Sequence, residues 1–330
     1  MSEPKLGVVA VGNALVDVIA KVDDAFLEAQ GGMEKGTMAL IDDVQAQALY
    51  GTLENAVQTS GGSAANTMAG FASFGGKGGF IGKVADDDLG RVFQEDIRSL
   101  GLDYETQPLS FGAPTGRCMI LVTPDAERTM NAFLGASVEM GRHDVDGTLI
   151  ANAKVTYLEG YLFDKDKAKS AFIAAAEAAH KAGRRVALTL SDPFCVDRHR
   201  SDFLQLVENH VDILFANEDE IKSLFMQDSF DDAKSAISDH VDIAVLTRGE
   251  NGAVILHNGA ETIIPAESVA QVVDTTGAGD QFAAGFLYGF TEGMDMAACG
   301  KLGAIAAAEV ISHVGPRPLV SLADLQQQAA

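Results

Sequence analysis

Val272-Val273-Asp274-Thr275-Thr276-Gly277-Ala278-Gly279-Asp280 runs directly into Gln281-Phe282-Ala283-Ala284-Gly285-Phe286-Leu287-Tyr288-Gly289-Phe290. A short β-branched run ends in Asp and Thr, passes through Gly-Ala-Gly and becomes an apolar pattern of helical period, which predicts strand, tight turn and helix in succession. The turn therefore falls at a helix N-terminus, where free N–H groups and the positive end of the helix dipole bind negative charge. Gly277 and Gly279 carry no Cβ, so a phosphate or a developing oxyanion can approach that backbone closely. Asp280 would repel such a phosphate unless its task is to take a proton from the group that attacks it. The pairing suggests phosphoryl transfer to a hydroxyl. The alternative is a first-turn acid favoured by the dipole, beside two glycines that merely make a turn.

With 330 residues the chain is long for one domain and short for two full-sized ones, so one large domain with a small appendage is expected. A hydrophobic share of 47% supplies an ample core, and a formal net charge of −23 argues against nucleic acid or an anionic membrane surface as a partner. A phosphate site must then be local, built from helix ends and a few placed cations. Cys118, Cys195 and Cys299 lie far apart without metal-ligand spacing, which fits a reducing compartment and packing roles. No run of about twenty apolar residues occurs, and Met1-Ser2-Glu3-Pro4-Lys5 lacks the regions of a signal peptide. The expectation is a soluble, cytoplasmic protein without repeats or a third module.

Away from the turn, strands and helices alternate. Leu6-Gly7-Val8-Val9-Ala10-Val11 is an unbroken apolar run, the pattern of a strand buried on both faces. Strand runs follow at Val155–Leu158, Val186–Leu190, Val211–Phe215 and Ile243–Leu246, the first three leading into helical stretches that end near Ala182, His210 and Phe225. This rhythm predicts right-handed βαβ units, that is, an α/β fold with a mostly parallel sheet covered by helices on both faces. Ligands in such sheets gather at the carboxyl ends of strands. There stand Asn217 and Glu220, Thr247-Arg248-Gly249, and Asp274 to Asp280. Asn217-x-x-Glu220 sets two oxygen-bearing side chains on one face of a first helical turn, suited to Mg²⁺ with its waters and to nucleotide phosphates.

A second group of strand-like runs, Leu15–Ala20, Thr37–Ile41, Thr115–Val122 and Arg128–Leu134, has no interleaved crossover, and the last two flank the turn Pro124-Asp125-Ala126-Glu127. These predict a small β-sheet lid drawn from about 13–20, 36–42 and 113–135, the rest of the chain forming the large domain. Asp42 to Ala56 reads as a helix, and Gly61-Gly62-Ser63 opens a small-residue helix through Phe74 that carries Asn66 one turn in. Asp17 interrupts an apolar strand, where strand polarity alone would turn it to solvent. Arg128 is a candidate phosphate clamp delivered by lid closure, although an exposed hairpin arginine is equally a solvated charge. Gly76, Gly78 and Gly82 miss the Gly-x-Gly-x-x-Gly spacing, and Lys77 and Lys83 read as solvated charges.

Asp274-Thr275-x-Gly277-Ala278-Gly279-Asp280 resembles the C-terminal signature of the ribokinase-like, or PfkB, kinases, and Gly61-Gly62-Ser63-Ala64-Ala65-Asn66-Thr67 with Gly82-Lys83-Val84 and Asp88-Leu89-Gly90 resembles the N-terminal one. The likeness runs from Val11-Gly12-Asn13 to about Gly315 and is strongest to adenosine kinases, through Thr189-Leu190-Ser191-Asp192-Pro193-Phe194, Val211 to Glu218, Thr115-Gly116-Arg117-Cys118 and Glu127-Arg128-Thr129. The segment Asn131-Ala132-Phe133-Leu134-Gly135-Ala136 is only loosely alike, which leaves a different nucleoside or a sugar open as acceptor.

The resemblance implies ATP as donor with Mg²⁺, Asp280 as base, and the Gly277, Ala278 and Gly279 amides on the transferring group. Asn13 and Asp17 would hold ribose hydroxyls, with Gly61, Gly62, Ser63 and Asn66 also at the acceptor. Asn217 and Glu220 would organise the metal, Asn217, Thr247 and Gly249 would line the ATP site, and Ser312-His313-Val314-Gly315-Pro316 would border the adenine. Asp274 is a candidate for a monovalent cation, K⁺. Read together, the chain is expected to be a monomeric or homodimeric kinase of small molecules that transfers a γ-phosphoryl group to a nucleoside, adenosine first. The rivals are a sugar kinase of the same fold and a non-catalytic nucleoside- or sugar-binding sensor.

Overall fold

The computed structural model of the chain describes residues 3–31, 33–125 and 127–329; Ala126, in the turn expected at 124–127, lies outside them. The strands, in chain order, are β1 (Leu6–Val11), β2 (Leu15–Lys21), β3 (Met38–Leu40), β4 (Val57–Gly61), β5 (Gly78–Ile81), β6 (Gly116–Val122), β7 (Arg128–Phe133), β8 (Ala153–Glu159), β9 (Arg185–Thr189), β10 (Ile213–Asn217), β11 (Ile243–Thr247), β12 (Ala253–His257) and β13 (Ala260–Ile264). The helices are α1 (Asp24–Ala29), α2 (Asp43–Tyr50), α3 (Ser63–Ser73), α4 (Asp88–Ser99), α5 (Gly147–Ala151), α6 (Asp166–Lys181), α7 (Pro193–His210), α8 (Glu218–Phe225), α9 (Phe230–Ile237), α10 (Ala278–Thr291), α11 (Met296–Ile311) and α12 (Leu322–Ala329).

An eight-stranded sheet runs in the order β13-β12-β11-β10-β9-β8-β1-β5. It is parallel from β5 to β11 and ends in an antiparallel hairpin, β12 and β13. Alternation along β1 assigns its side chains to two cores. Val8 and Ala10 pack with Tyr157, Phe215 and Phe286 on one face, and Val9 and Val11 with Leu158, Phe172 and Phe203 on the other. Each such fully buried large side chain is worth about 1.5–3 kcal/mol relative to exposure. Small residues bring α3 and α10 together: a Cβ on Gly70 would strike the Gln281 side chain at 1.9 Å.

The second sheet has the order β3-β7-β6-β2-β4. Val16, Val18, Met119 and Leu121 share an apolar cluster with Leu27 of α1 and with Ala46 and Leu49 of α2, so helices cover one face of this sheet. Its other face looks onto the ends of the large sheet. The expected lid segments lie in it, joined by β4, a strand the sequence reading lacks; the helix expected from Asp42 to Ala56 is shorter. That helix stops at Tyr50, where Gly51 caps it with its N–H on Gln47 O at 3.0 Å.

Several expectations change. Val272 and Val273 are not a strand: Val273 N–H bonds to Ile311 O at 2.8 Å, and both valines are exposed, so the turn is reached by a crossing segment anchored on the end of α11. Lys83 is not solvated. It is buried in an ion pair with Asp144 at 2.5 Å, whereas Lys77 is exposed. Asp17 faces inward at 7% exposure instead of outward. The hairpin of β12 and β13 and the helices α9 and α12 were not foreseen.

Candidate active site

Between the carboxyl ends of the parallel strands and the inner face of the small sheet lies a cleft of about 960 Å³. Gly277 is the N-cap of α10 with φ +80°, a left-handed conformation that glycine adopts without strain, and a Cβ there would meet Pro316 at 2.7 Å. A Cβ on Gly279 would meet nothing within 4 Å, so the turn is open towards the cleft at the start of α10. Those first N–H groups stand at the turn where the sequence reading expects an anion.

Asp280 stands in the first turn of α10 and lines the cleft. Ser63 Oγ donates to its Oδ1 at 2.6 Å and Asn66 Nδ2 makes a longer approach to Oδ2 at 3.5 Å. The carboxylate keeps some exposure into the cleft, yet protein surrounds it. Burial raises its pKa to about 6 against the hydrogen bonds from Ser63 and Asn66 and the charge of Arg317, with Asp17 repelling it. A carboxylate poised there is ionised at neutral pH and remains a competent base.

Asp17 on β2 lines the same cleft, and among the described residues no protein hydrogen bond reaches its carboxylate. Burial raises it to about 6, with Arg317 and Arg128 opposing. A Cβ on Gly61 would strike this carboxylate at 2.3 Å, which explains a glycine there. Asn13 is held from both ends: its Nδ2 donates to Glu159 Oε1 at 2.7 Å and its Oδ1 accepts from Ser137 Oγ at 2.9 Å. Glu159 Oε2 also accepts the Ala64 N–H at 2.8 Å, so the N-terminus of α3 is satisfied by protein. Burial raises Glu159 to about 7 despite those bonds. Around Asp17 the inner face of the small sheet is apolar: Met38, Leu40, Cys118, Ile120, Met130 and Ala132.

On the other side of the turn lie Asn217, Glu220, Thr247 and Gly249. Asn217 and Glu220 form a capping box: Asn217 Nδ2 donates to Glu220 Oε1 at 2.7 Å, Asn217 N to Oε2 at 2.9 Å, and Glu220 N to Asn217 Oδ1 at 2.8 Å. Burial raises Glu220 to about 7, with Asp192 and Asp219 adding repulsion. The expected open pair of metal ligands is therefore partly committed to its own helix end. No group of three or more His, Cys, Asp or Glu among the described residues could hold a metal ion by itself. The set fits a hydrated Mg²⁺ carried on phosphates, touched through water, and does not fit a protein cage.

Three expected residues stand off the cleft lining. Arg128 on β7 pairs with Asp274, whose Oδ2 also accepts the Gly315 N–H at 2.9 Å and whose Oδ1 accepts the Thr276 N–H at 2.9 Å. A guanidinium thus occupies the carboxylate that was expected to hold K⁺. Arg128 Nε and Nη2 are buried without a partner, so part of its fork stays available for a phosphate. The His313 ring contacts Glu309 Oε1 at 3.2 Å and Val314 O at 3.3 Å, which makes it a packing and capping residue of the α11 end. Glu159, Tyr161 and Asp192 line the cleft and were missed. The signal for Glu159 was an acid at the carboxyl end of an apolar strand, directly before Gly160.

The pfkB family carbohydrate kinase profile matches residues 7–322, and the chain belongs to that family. It is a kinase, a phosphotransferase of the class that uses ATP. Among solved structures it is 50% identical to the adenosine kinase of Sinorhizobium meliloti, with a TM-score of 0.90 and coverage of 99% of this chain and 100% of that one. It is 48% identical to a probable sugar kinase of Rhizobium etli, TM-score 0.90, with 99% of each chain covered. A curated relative, the 5-dehydro-2-deoxygluconokinase of Geobacillus thermodenitrificans, is 28% identical over 284 residues, 82% of this chain and 84% of that protein. No helix among the described residues is long and apolar enough to cross a membrane.

Proposed function

We propose that the chain is an adenosine kinase, transferring the γ-phosphoryl group of ATP to a ribose hydroxyl. The observation that carries this reading is a carboxylate set in an otherwise apolar wall of the acceptor pocket. Asn13 and Asp17 offer polar groups there, and the sheet face that bears Asp17 is otherwise apolar, with Met38, Leu40, Cys118, Ile120, Met130 and Ala132. A hexose acid would lose water from its hydroxyls against that wall without hydrogen bonds in return, at roughly 1–3 kcal/mol each. A purine presents an apolar face to the wall while its ribose hydroxyls meet Asp17, a carboxylate able to accept from two vicinal hydroxyls. The 50% identity to the Sinorhizobium meliloti adenosine kinase supports the same acceptor.

Within this reading Asp280 takes the proton of the attacking hydroxyl, and Ser63 and Asn66 hold its carboxylate in place. The N–H groups at Gly277, Ala278 and Gly279 stabilise negative charge on the transferred group, and the lid keeps water out. ATP supplies the phosphoryl group and Mg²⁺ neutralises its charge when bound; Asn217, Glu220, Thr247 and Gly249 line their side of the cleft. ADP release measured against adenosine, guanosine, cytidine, ribose, fructose and 5-dehydro-2-deoxygluconate tests the assignment. Adenosine should lead by about 10²-fold or more in kcat/KM, and a sugar exceeding it would make the protein a sugar kinase.

A further inference from the structure

We infer that Arg317 is a positioning residue for the phosphoryl-transfer site, fixing Asn66 as a hydrogen-bond donor towards Asp280 and setting the field in which that carboxylate works. Arg317 comes from the segment after α11 and does not line the cleft. Its guanidinium is spent on three partners. Nε donates to Asn66 Oδ1 at 3.1 Å, Nη1 to Asp96 Oδ2 at 3.0 Å and Nη2 to Ser60 Oγ at 2.8 Å.

The first of these bonds has a chemical consequence. An amide side chain has one acceptor end and one donor end. With Oδ1 turned to Arg317, Nδ2 is turned to Asp280 Oδ2. A guanidinium has no acceptor, so the opposite orientation of Asn66 would set donor against donor. Asn66 is further fixed through its backbone, since buried Gln281 bonds with Nε2 to both Asn66 O and Pro316 O at 2.9 Å. Asp96 in turn holds Arg317, accepting also from Ser60 N at 2.9 Å and Thr59 Oγ1 at 3.2 Å. The arginine therefore ties the last strand of the lid, α4 and the helix bearing Asn66 to one planar group.

The second consequence is electrostatic. Asp17 on β2, Glu159 after β8, Glu220 on α8 and the phenols of Tyr157 and Tyr161 surround Asp280, all of them acidic or neutral. Arg317 is the cation whose charge opposes protonation of both Asp280 and Asp17. Loss of that charge should raise the pH at which the base titrates, whereas loss of the fork alone should not.

The inference rests on Asp280 being the base, and the experiment separates the two. Purified Arg317→Gln, Arg317→Lys and Asp280→Asn are assayed for kcat and KM with the preferred acceptor across pH 5 to 9, alongside melting temperatures. Arg317→Gln is expected to lower kcat about tenfold or more and to move the acid limb of kcat/KM upward by about half a unit to one unit. Arg317→Lys, which keeps the charge and loses the fork, is expected to lower kcat while leaving the limb in place. In a cycle with Asn66→Ala the two effects should be strongly non-additive. An unmoved limb in Arg317→Gln, or additivity with Asn66→Ala, overturns the inference and leaves Arg317 a purely structural tie. Should Arg317→Gln fail to fold, the Arg317→Lys profile and cycle decide alone, with additivity there counting against it. Asp280→Asn with substantial turnover would instead overturn the assignment of the base.

Discussion

Ser63 Oγ donates to Asp280 Oδ1 across 2.6 Å, joining residues 217 positions apart at the facing N-termini of α3 and α10. The bond leaves the second carboxylate oxygen to the cleft, with only the long Asn66 approach upon it. Asp280→Asn keeps the shape and removes both charge and basicity. We expect a loss of at least ~10²-fold in kcat/KM with nucleotide affinity kept or slightly improved. Retention of a tenth of wild-type turnover at saturating substrates, with product release shown not to limit, would refute the base assignment.

Titration of the same residue predicts a pH profile. Asp280 must be ionised to accept a proton and its pKa is raised to about 6 by burial, so kcat/KM should climb through pH 6 and level off above it. A profile flat from pH 5 to 8 would show that another group is the base.

Stability of the ligand-free protein should run the other way. Asp17 and Asp280 are raised to about 6, and Glu159 and Glu220 to about 7, all above their values in an unfolded chain. The folded state therefore holds more protons, and the contribution of these groups is fully present below about pH 4 and lost as pH rises through 6 and 7. The melting temperature should be higher at pH 5 than at pH 8, and calorimetry giving the reverse order would contradict the burial of these carboxyls.

Asp17→Ala should raise the acceptor KM about tenfold to a hundredfold, the worth of hydrogen bonds to a charged group, with a smaller change in kcat. Initial-rate kinetics with an unchanged acceptor KM would remove Asp17 from the pocket.

The two glycines of the turn should separate stability from catalysis. Gly277→Ala meets Pro316 and a φ of +80°, so it should lose about 1–2 kcal/mol or more and melt earlier. Gly279→Ala meets nothing within 4 Å and should melt like the wild type while losing activity about tenfold or more, since its methyl group enters the space of the anion. Full activity in Gly279→Ala would mean that the turn does not carry the phosphate.

The sequence by itself determined what is local. The mainly apolar runs of β1 and β8 to β11 are strands because both their faces are buried, and the Gly-Ala-Gly turn precedes a helix because α10 carries an apolar pattern of helical period. The position of Asp280 in the first turn of α10 was legible from the same stretch. Tertiary structure decided the rest. Whether Asp17 faced solvent or the cleft depended on which face of β2 the helices α1 and α2 covered, and Glu159 reached Asn13 only because β8 pairs with β1 in the sheet. Arg317 meets Ser60 and Asn66 from 257 and 251 positions away, a junction with no local pattern to announce it. Periodicity reports which side of an element is buried, but the partners waiting there are set by the order of strands and the path of the crossovers, and those depend on the whole chain at once.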